Sequence, residues 1–101
     1  MALIVKKFGG SSVATAEKIM SIAQRILNEK KADDKIVVVV SAMGDTTDNL
    51  ISLATQIDSE PYKATYSREM DMLLTTGEQI SIALLAMAFQ KLGQPAISMT
   101  G

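Results

Sequence analysis

The hydrophobic positions of this chain change period along its length, and the changes predict a strand, a helix and a second strand. Residues 3–5 and 36–40 are continuous apolar runs, the pattern of strands covered on both faces in a parallel sheet. Residues 15–31 carry apolar side chains at steps of three and four, which predicts an amphipathic helix with Thr15 as its N-cap. In such a βαβ unit, the loops after both strands lie at the carboxyl edge of the sheet, where ligands bind.

A hydroxyl-rich loop and a second helix are predicted after the second strand. Residues 41–48 are small and polar, and they lead into apolar positions over residues 50–57 that are typical of a helix face. Thr46 or Thr47 is the expected cap of that helix. Residues 58–66 contain a proline and no periodicity, so we expect a mobile connection at the surface.

The last part of the chain is predicted to hold two helices and a short third strand. A short helix around residues 70–74 is followed by the polar segment 75–79 and by a largely buried helix over residues 80–92, which Gly93 ends. Residues 96–99 are the predicted strand. This ending would leave an apolar helix and a sheet edge uncovered, so we expect the chain to be the front part of a longer domain.

Composition narrows the possible chemistry. The chain has 101 residues, enough for one small domain, and its net charge of -1 comes from scattered charges, so we expect no nucleic acid or membrane partner. The absence of cysteine and histidine excludes thiolate nucleophiles, disulfides, most zinc sites and histidine-based triads. The N-terminal apolar run is too short for a signal peptide, so a cytoplasmic location is expected.

Residues 7–12, here named the first loop, have the sequence Lys-Phe-Gly-Gly-Ser-Ser and follow the first strand. Gly9 and Gly10 allow the backbone to approach an anion closely, and Lys7 adds a mobile positive charge, so the first loop is a candidate phosphate site. The alternative is that the glycines only form a tight turn and that the lysine is solvated.

Residues 41–48, here named the second loop, are expected beside the first loop. Their hydroxyls are explained equally well by capping and turn formation. Glu78 is predicted in the first turn of the buried helix, where the helix dipole favours a carboxylate. Because its surroundings are apolar, we alternatively expect it to bind a cation such as a substrate ammonium group.

Three segments taken together, residues 7–12, 40–48 and 74–81, closely resemble aspartate kinases in order and spacing. The resemblance implies an α/β amino-acid kinase (carbamate kinase-like) fold, a three-layer α/β/α sandwich with a mainly parallel sheet. Residues 1–101 would be its N-terminal part, without the rest of the kinase domain and the regulatory domains. It also implies phosphoryl transfer from ATP to the side-chain carboxylate of L-aspartate, giving 4-phospho-L-aspartate on the way to lysine, threonine and methionine.

The resemblance also implies roles for individual residues. Lys7 would be catalytic and neutralise the transferring phosphoryl group, and ATP phosphates would be bound by Lys7, Phe8, Gly9, Gly10 and Ser11. Aspartate would be bound by Ser41, Thr47 and Glu78. Mg²⁺ would be held through the nucleotide phosphates, with no protein ligand expected in this chain. A homo-oligomer or hetero-oligomer is expected for the full-length protein, and inactivity for this chain alone.

Two other hypotheses about the function remain open. The chain resembles, less specifically, kinases of the same superfamily that act on N-acetylglutamate, glutamate, carbamate or UMP. Glu78 is the residue that discriminates, because an acetylated amino group or a nucleotide phosphate gains nothing from a carboxylate at that position, whereas a free α-ammonium group does. The second hypothesis is that the chain is a non-catalytic assembly fragment, which binds its partner through the uncovered apolar helix.

Overall fold

A computed structural model describes residues 2–99 of the chain. The chain forms two strands and three α-helices, with two short 3₁₀ turns at Gly10–Val13 and Ala64–Tyr66. The main elements are β1 (Leu3–Phe8), α1 (Ala16–Glu29), β2 (Lys35–Val40), α2 (Thr46–Ile57) and α3 (Ser67–Lys91). The predicted βαβ unit and the second helix are therefore confirmed.

The sheet carries its helices on one face only within residues 2–99. β1 and β2 pair in parallel, with Leu3 opposite Lys35 and Phe8 opposite Val40. Side chains alternate between the faces, so Phe8 and Val40 are buried against helices. The exposed face bears Leu3, Val5, Val37 and Val39, which are 71%, 65%, 49% and 45% exposed. The prediction that both faces are buried is thus wrong for the described residues, although the sequence supplies an apolar second face.

Helices α1 and α3 supply most of the core. α1 buries Ile19, Ile22, Ala23 and Ile26, and α3 adds Leu85, Ala88 and Phe89. Burial of each large side chain contributes about 1.5–3 kcal/mol, which sets α1 firmly against the sheet. The predicted cap is confirmed, because the Thr15 hydroxyl accepts a hydrogen bond of 3.1 Å from the Lys18 N–H.

The predicted break within the third helical region is wrong, because α3 is one continuous helix. The hydroxyls of Thr75 and Thr76 donate to the carbonyls of Asp71 and Leu73, so the helix satisfies these polar groups itself. Glu78 consequently lies near the middle of α3, and the dipole at a helix N-terminus does not explain it.

Two further expectations about the end of the chain have different outcomes. Gly93 adopts φ of +87° just after α3, as predicted for a residue that ends a helix. Residues 96–99 form no strand, because no neighbouring strand is present within residues 2–99, and the Ala96 carbonyl accepts from the Gln90 side chain instead. The helix also exposes Ile80 and Met87, so it is less buried than predicted.

Helix α3, together with the turn before it, is the one segment of residues 2–99 that is long and apolar enough to cross a membrane. Length and composition alone are weak grounds for a membrane span, because buried core helices share them. This helix packs Leu85 and Phe89 into the core and carries the charged Glu78 near its middle.

The connection between α2 and α3 lies largely at the surface, as expected, and is hydrogen-bonded internally. The Tyr66 hydroxyl and the Glu60 N–H each donate a hydrogen bond of 2.9 Å to the Asp58 carboxylate, and Pro61 is buried. The Glu60 N–H, followed by the Tyr66 hydroxyl, holds the pKa of Asp58 below its usual value. The same carboxylate raises the pKa of Tyr66.

We expect Tyr66→Phe to raise the pKa of Asp58 towards its ordinary value, while the Glu60 N–H keeps part of the shift. Because the folded-state pKa is lowered, the ionised carboxylate contributes stability above its unfolded pKa of about 3.9 and loses it as pH falls through the folded pKa. Carbon NMR titration of labelled aspartates measures the change. An unaltered Asp58 titration would contradict the role given to the hydroxyl.

Candidate functional site

The first and second loops meet at the carboxyl edge of the sheet, as parallel pairing of β1 and β2 requires. Their backbones are joined directly. The Ser41 N–H donates to the Phe8 carbonyl at 3.2 Å, and the Gly44 N–H donates to the Gly10 carbonyl at 3.0 Å. The two loops therefore form one hydrogen-bonded unit, and the sequence predicted their proximity correctly.

The two glycines of the first loop have different surroundings. A Cβ atom on Gly10 would lie 2.8 Å from the Ala42 carbonyl oxygen, so only glycine allows the loops to approach this closely. A Cβ atom on Gly9 would meet nothing within 4 Å. Within residues 2–99, the N–H groups of Gly9 and Gly10 donate to no backbone carbonyl. The loop thus combines open space with unused donors, which suits an anion.

Lys7 and Lys6 are adjacent in β1 but point to opposite faces of the sheet. Lys6 forms an ion pair of 3.0 Å with Glu29. Lys7 is exposed and forms no ion pair within residues 2–99. The Lys7 ammonium group is therefore available to a bound anion at the end of β1, whereas that of Lys6 is paired. Ser11 is exposed in the 3₁₀ turn that follows.

Helix α3 reaches the second loop through Gly77. A Cβ atom on Gly77 would lie 3.1 Å from both Ala42 Cβ and Thr46 Cγ2, and 3.5 Å from Leu50 Cδ1. The prediction of a break over residues 75–79 does not anticipate this buried contact. The signal for it is the spacing of Gly77, Ser81 and Leu85 at steps of four, since all three are buried on α3.

The Gly77 contact determines where Glu78 lies. Glu78 is exposed and lines an open groove of about 790 Å³ together with Val39, Val40 and Ile82. Its carboxylate forms no ion pair in the described part of the chain. A carboxylate beside the apolar end of β2 is a suitable partner for a bound cation.

The two predicted hydroxyl ligands lie near the two ends of the second loop. Ser41 is half-buried directly after β2, and Thr47 is exposed in the first turn of α2. The expected cap at Thr46 or Thr47 is wrong, because Asp45 occupies the N-cap position and makes no capping hydrogen bond through its side chain. The Thr47 hydroxyl is thus not engaged in capping.

The fold and these loops place the chain in a known class. The model of the amino acid kinase family matches residues 2–101, and the chain belongs to that family. Among its relatives, the chain is 58% identical over 101 residues to an aspartokinase of Bacillus sp. (strain MGA3) and 55% identical to aspartokinase 2 of Bacillus subtilis (strain 168). All of this chain matches, but only 24% of each relative does, so it spans about a quarter of their length.

A solved structure supports the same assignment. The aspartate kinase from Synechocystis superposes on this chain with a TM-score of 0.87 and 57% sequence identity, covering 98% of this chain and 16% of that one. The expected α/β amino-acid kinase fold is confirmed, as is the resemblance to aspartate kinases.

Proposed function

We propose that this chain is the N-terminal part of an aspartate kinase domain and carries the aspartate-binding half and part of the phosphate-binding half of its site. The observation that carries the proposal is the docking of α3 on the second loop through Gly77. This contact places the helix that bears Glu78 at the sheet edge where the first loop lies. We call the longer protein that the proposal implies the full-length kinase.

The first loop receives the phosphates of ATP. The free N–H groups of Gly9 and Gly10 and the open space at Gly9 fit phosphate oxygens, with Phe8 and Ser11 completing the loop backbone. Lys7 supplies the charge that neutralises the transferring phosphoryl group. Mg²⁺ bound through the phosphates would neutralise further negative charge. Residues 2–99 hold no cluster of three or more acidic, histidine or cysteine side chains.

The second loop and α3 receive L-aspartate. Glu78 binds the α-ammonium group, and the hydroxyls of Ser41 and Thr47 bind the carboxylates. A carboxylate substrate is already ionised at neutral pH, so the reaction needs no general base from this chain. An oxygen of the side-chain carboxylate forms the new bond to the γ-phosphorus, and the bond to the ADP oxygen breaks, with ADP keeping the electron pair.

The product is 4-phospho-L-aspartate, which starts the synthesis of lysine, threonine and methionine. The full-length kinase works in the cytoplasm as an oligomer. Its later residues supply the adenine pocket. A similar kinase acting on N-acetylglutamate or UMP fits less well, because neither substrate offers a free ammonium group to Glu78.

An assembly role is the second candidate, and one observation favours it. The face of the sheet that bears Leu3, Val5, Val37 and Val39 is apolar and exposed within residues 2–99. Exposed apolar patches are typical of protein interaction sites. Under the kinase proposal, the same face is covered by the rest of the kinase, since this chain corresponds to only 24% of a relative's length.

A chimeric enzyme tests the proposal. This chain replaces the matching 24% of Bacillus subtilis aspartokinase 2, and hydroxylamine traps the acyl phosphate formed from ATP, Mg²⁺ and L-aspartate. We expect hydroxamate formation within about tenfold of the unmodified enzyme, because the chain is 55% identical to the segment that it replaces. A chimera that folds and makes no hydroxamate would refute the proposed function.

The two glycines offer a matched pair of variants. We expect Gly10→Ala to destabilise the full-length kinase by about 2 kcal/mol, because its Cβ would overlap the Ala42 carbonyl. Gly9→Ala should leave thermal stability within about 0.5 kcal/mol, yet raise the KM for ATP about tenfold by filling the phosphate space. Thermal melts and initial rates separate the effects, and an unchanged ATP KM for Gly9→Ala would contradict the assignment.

A further inference from the structure

One edge of α1 makes three polar contacts with β1 and the first loop. The Lys18 ammonium donates to the Ser11 carbonyl at 3.1 Å, and the Glu29 carboxylate pairs with Lys6 at 3.0 Å. Between them, the Arg25 guanidinium lies 5.2 Å from the centre of the Phe8 ring. Steps of seven and four residues put these three α1 side chains on one edge of the helix. Lys18 makes the contact nearest the proposed phosphate site.

Lys18 occupies an unusual position for a lysine. It is the third residue of α1, where the positive end of the helix dipole disfavours a cation. Its backbone N–H donates to the Thr15 hydroxyl at 3.1 Å, which fixes the residue in the helix cap. Its ammonium group then reaches back to the Ser11 carbonyl. Lys18 therefore ties the rigid start of α1 to the turn after Gly10.

Other contacts hold the two ends of the turn that Lys18 contacts, and Lys18 acts between them at Ser11. The 3₁₀ turn Gly10–Val13 has no side-chain cap at its start. The Ser12 N–H donates to the Gly9 carbonyl at 3.1 Å, the Gly44 N–H donates to the Gly10 carbonyl at 3.0 Å, and Val13 is buried. A charge-assisted bond to the Ser11 carbonyl fixes the peptide unit between Ser11 and Ser12. The ammonium also adds positive potential beside the first loop.

We propose that Lys18 is a positioning residue for ATP, acting through the Ser11 carbonyl to hold the first loop in the shape that receives the triphosphate. This inference rests on the proposed function of the first loop. It predicts an effect on ATP alone, because the aspartate ligands Ser41, Thr47 and Glu78 lie on the second loop, α2 and α3.

Kinetics of the full-length kinase test the inference with three variants. Lys18→Met should raise the KM for ATP about tenfold and change the KM for L-aspartate less than about twofold, with an unaltered melting temperature. Lys18→Arg should restore the ATP KM, since guanidinium also donates to a carbonyl. Lys31→Met is the control, because it removes an equal charge from an exposed lysine whose ammonium forms no ion pair within residues 2–99.

Several results would overturn the inference: an ATP KM unchanged in Lys18→Met, an equal rise in Lys31→Met, or parallel rises in both KM values. Calorimetry of ATP binding without aspartate separates this inference from the proposed function. If the unmodified protein binds ATP but makes no hydroxamate, the aspartate kinase assignment fails, and the ATP Kd of Lys18→Met still decides the role of Lys18. If the unmodified protein binds no ATP, both proposals fail.

Discussion

Lys7→Ala in the full-length kinase is expected to lower kcat about a thousandfold, the size of effect seen when a preorganised group that stabilises transition-state charge is removed. Lys7 is the exposed lysine at the end of β1 that forms no ion pair within residues 2–99. Its charge is therefore available to the phosphoryl group without first breaking a contact in the chain. Steady-state rates with ATP and L-aspartate measure the loss.

Lys35→Ala is the matched control for that variant. Lys35 is also an exposed strand lysine, but it opens β2 at the opposite, amino edge of the sheet. We expect its kcat to stay within about twofold, because a remote exposed charge is screened. A Lys7→Ala enzyme that keeps its kcat, or a Lys35→Ala enzyme that loses as much, would remove Lys7 from the mechanism.

Glu78→Gln is expected to raise the KM for L-aspartate about a hundredfold and to leave the KM for ATP unchanged. The substitution keeps the shape of the side chain but removes the charge that pairs with the α-ammonium group, and a charge-assisted contact of this kind contributes about 1.5–3 kcal/mol. Glu69→Gln serves as the control, because Glu69 is an exposed carboxylate in the first turn of the same helix, paired with Arg68.

A substrate lacking the ammonium group completes the test. Succinate should bind the Glu78→Gln enzyme and the unmodified enzyme with similar affinity, so that the variant and the missing ammonium group are not additive. Additive losses, or an unchanged aspartate KM, would show that Glu78 binds something else.

Local physical chemistry explains which parts of the fold were predictable. The apolar run of β2, the stripe of α1 and the Thr15 cap are each specified by neighbouring residues, and the structure has all three. The adjacency of the two loops follows from the right-handed crossover between parallel strands. The sequence alone therefore predicts that the first and second loops lie together at the carboxyl edge of the sheet.

The wrong predictions concern segments whose secondary structure depends on contacts with residues far away in the sequence. Polar residues at 75–79 predicted a break, but the Thr75 and Thr76 hydroxyls bond within α3, and packing of Gly77 on Ala42 offsets the low helix propensity of glycine. Residues 96–99 have a strand composition but no partner strand within residues 2–99. The contact of Lys18 with the Ser11 carbonyl has no periodicity to reveal it.

A hydroxylamine trap on the full-length kinase decides whether the enzyme phosphorylates L-aspartate. ATP and Mg²⁺ are supplied with one carboxylate at a time: L-aspartate, L-glutamate or N-acetyl-L-glutamate. We expect hydroxamate from L-aspartate with the full-length kinase and none from residues 1–101 alone. Hydroxamate from another of these carboxylates and none from L-aspartate would contradict the claim.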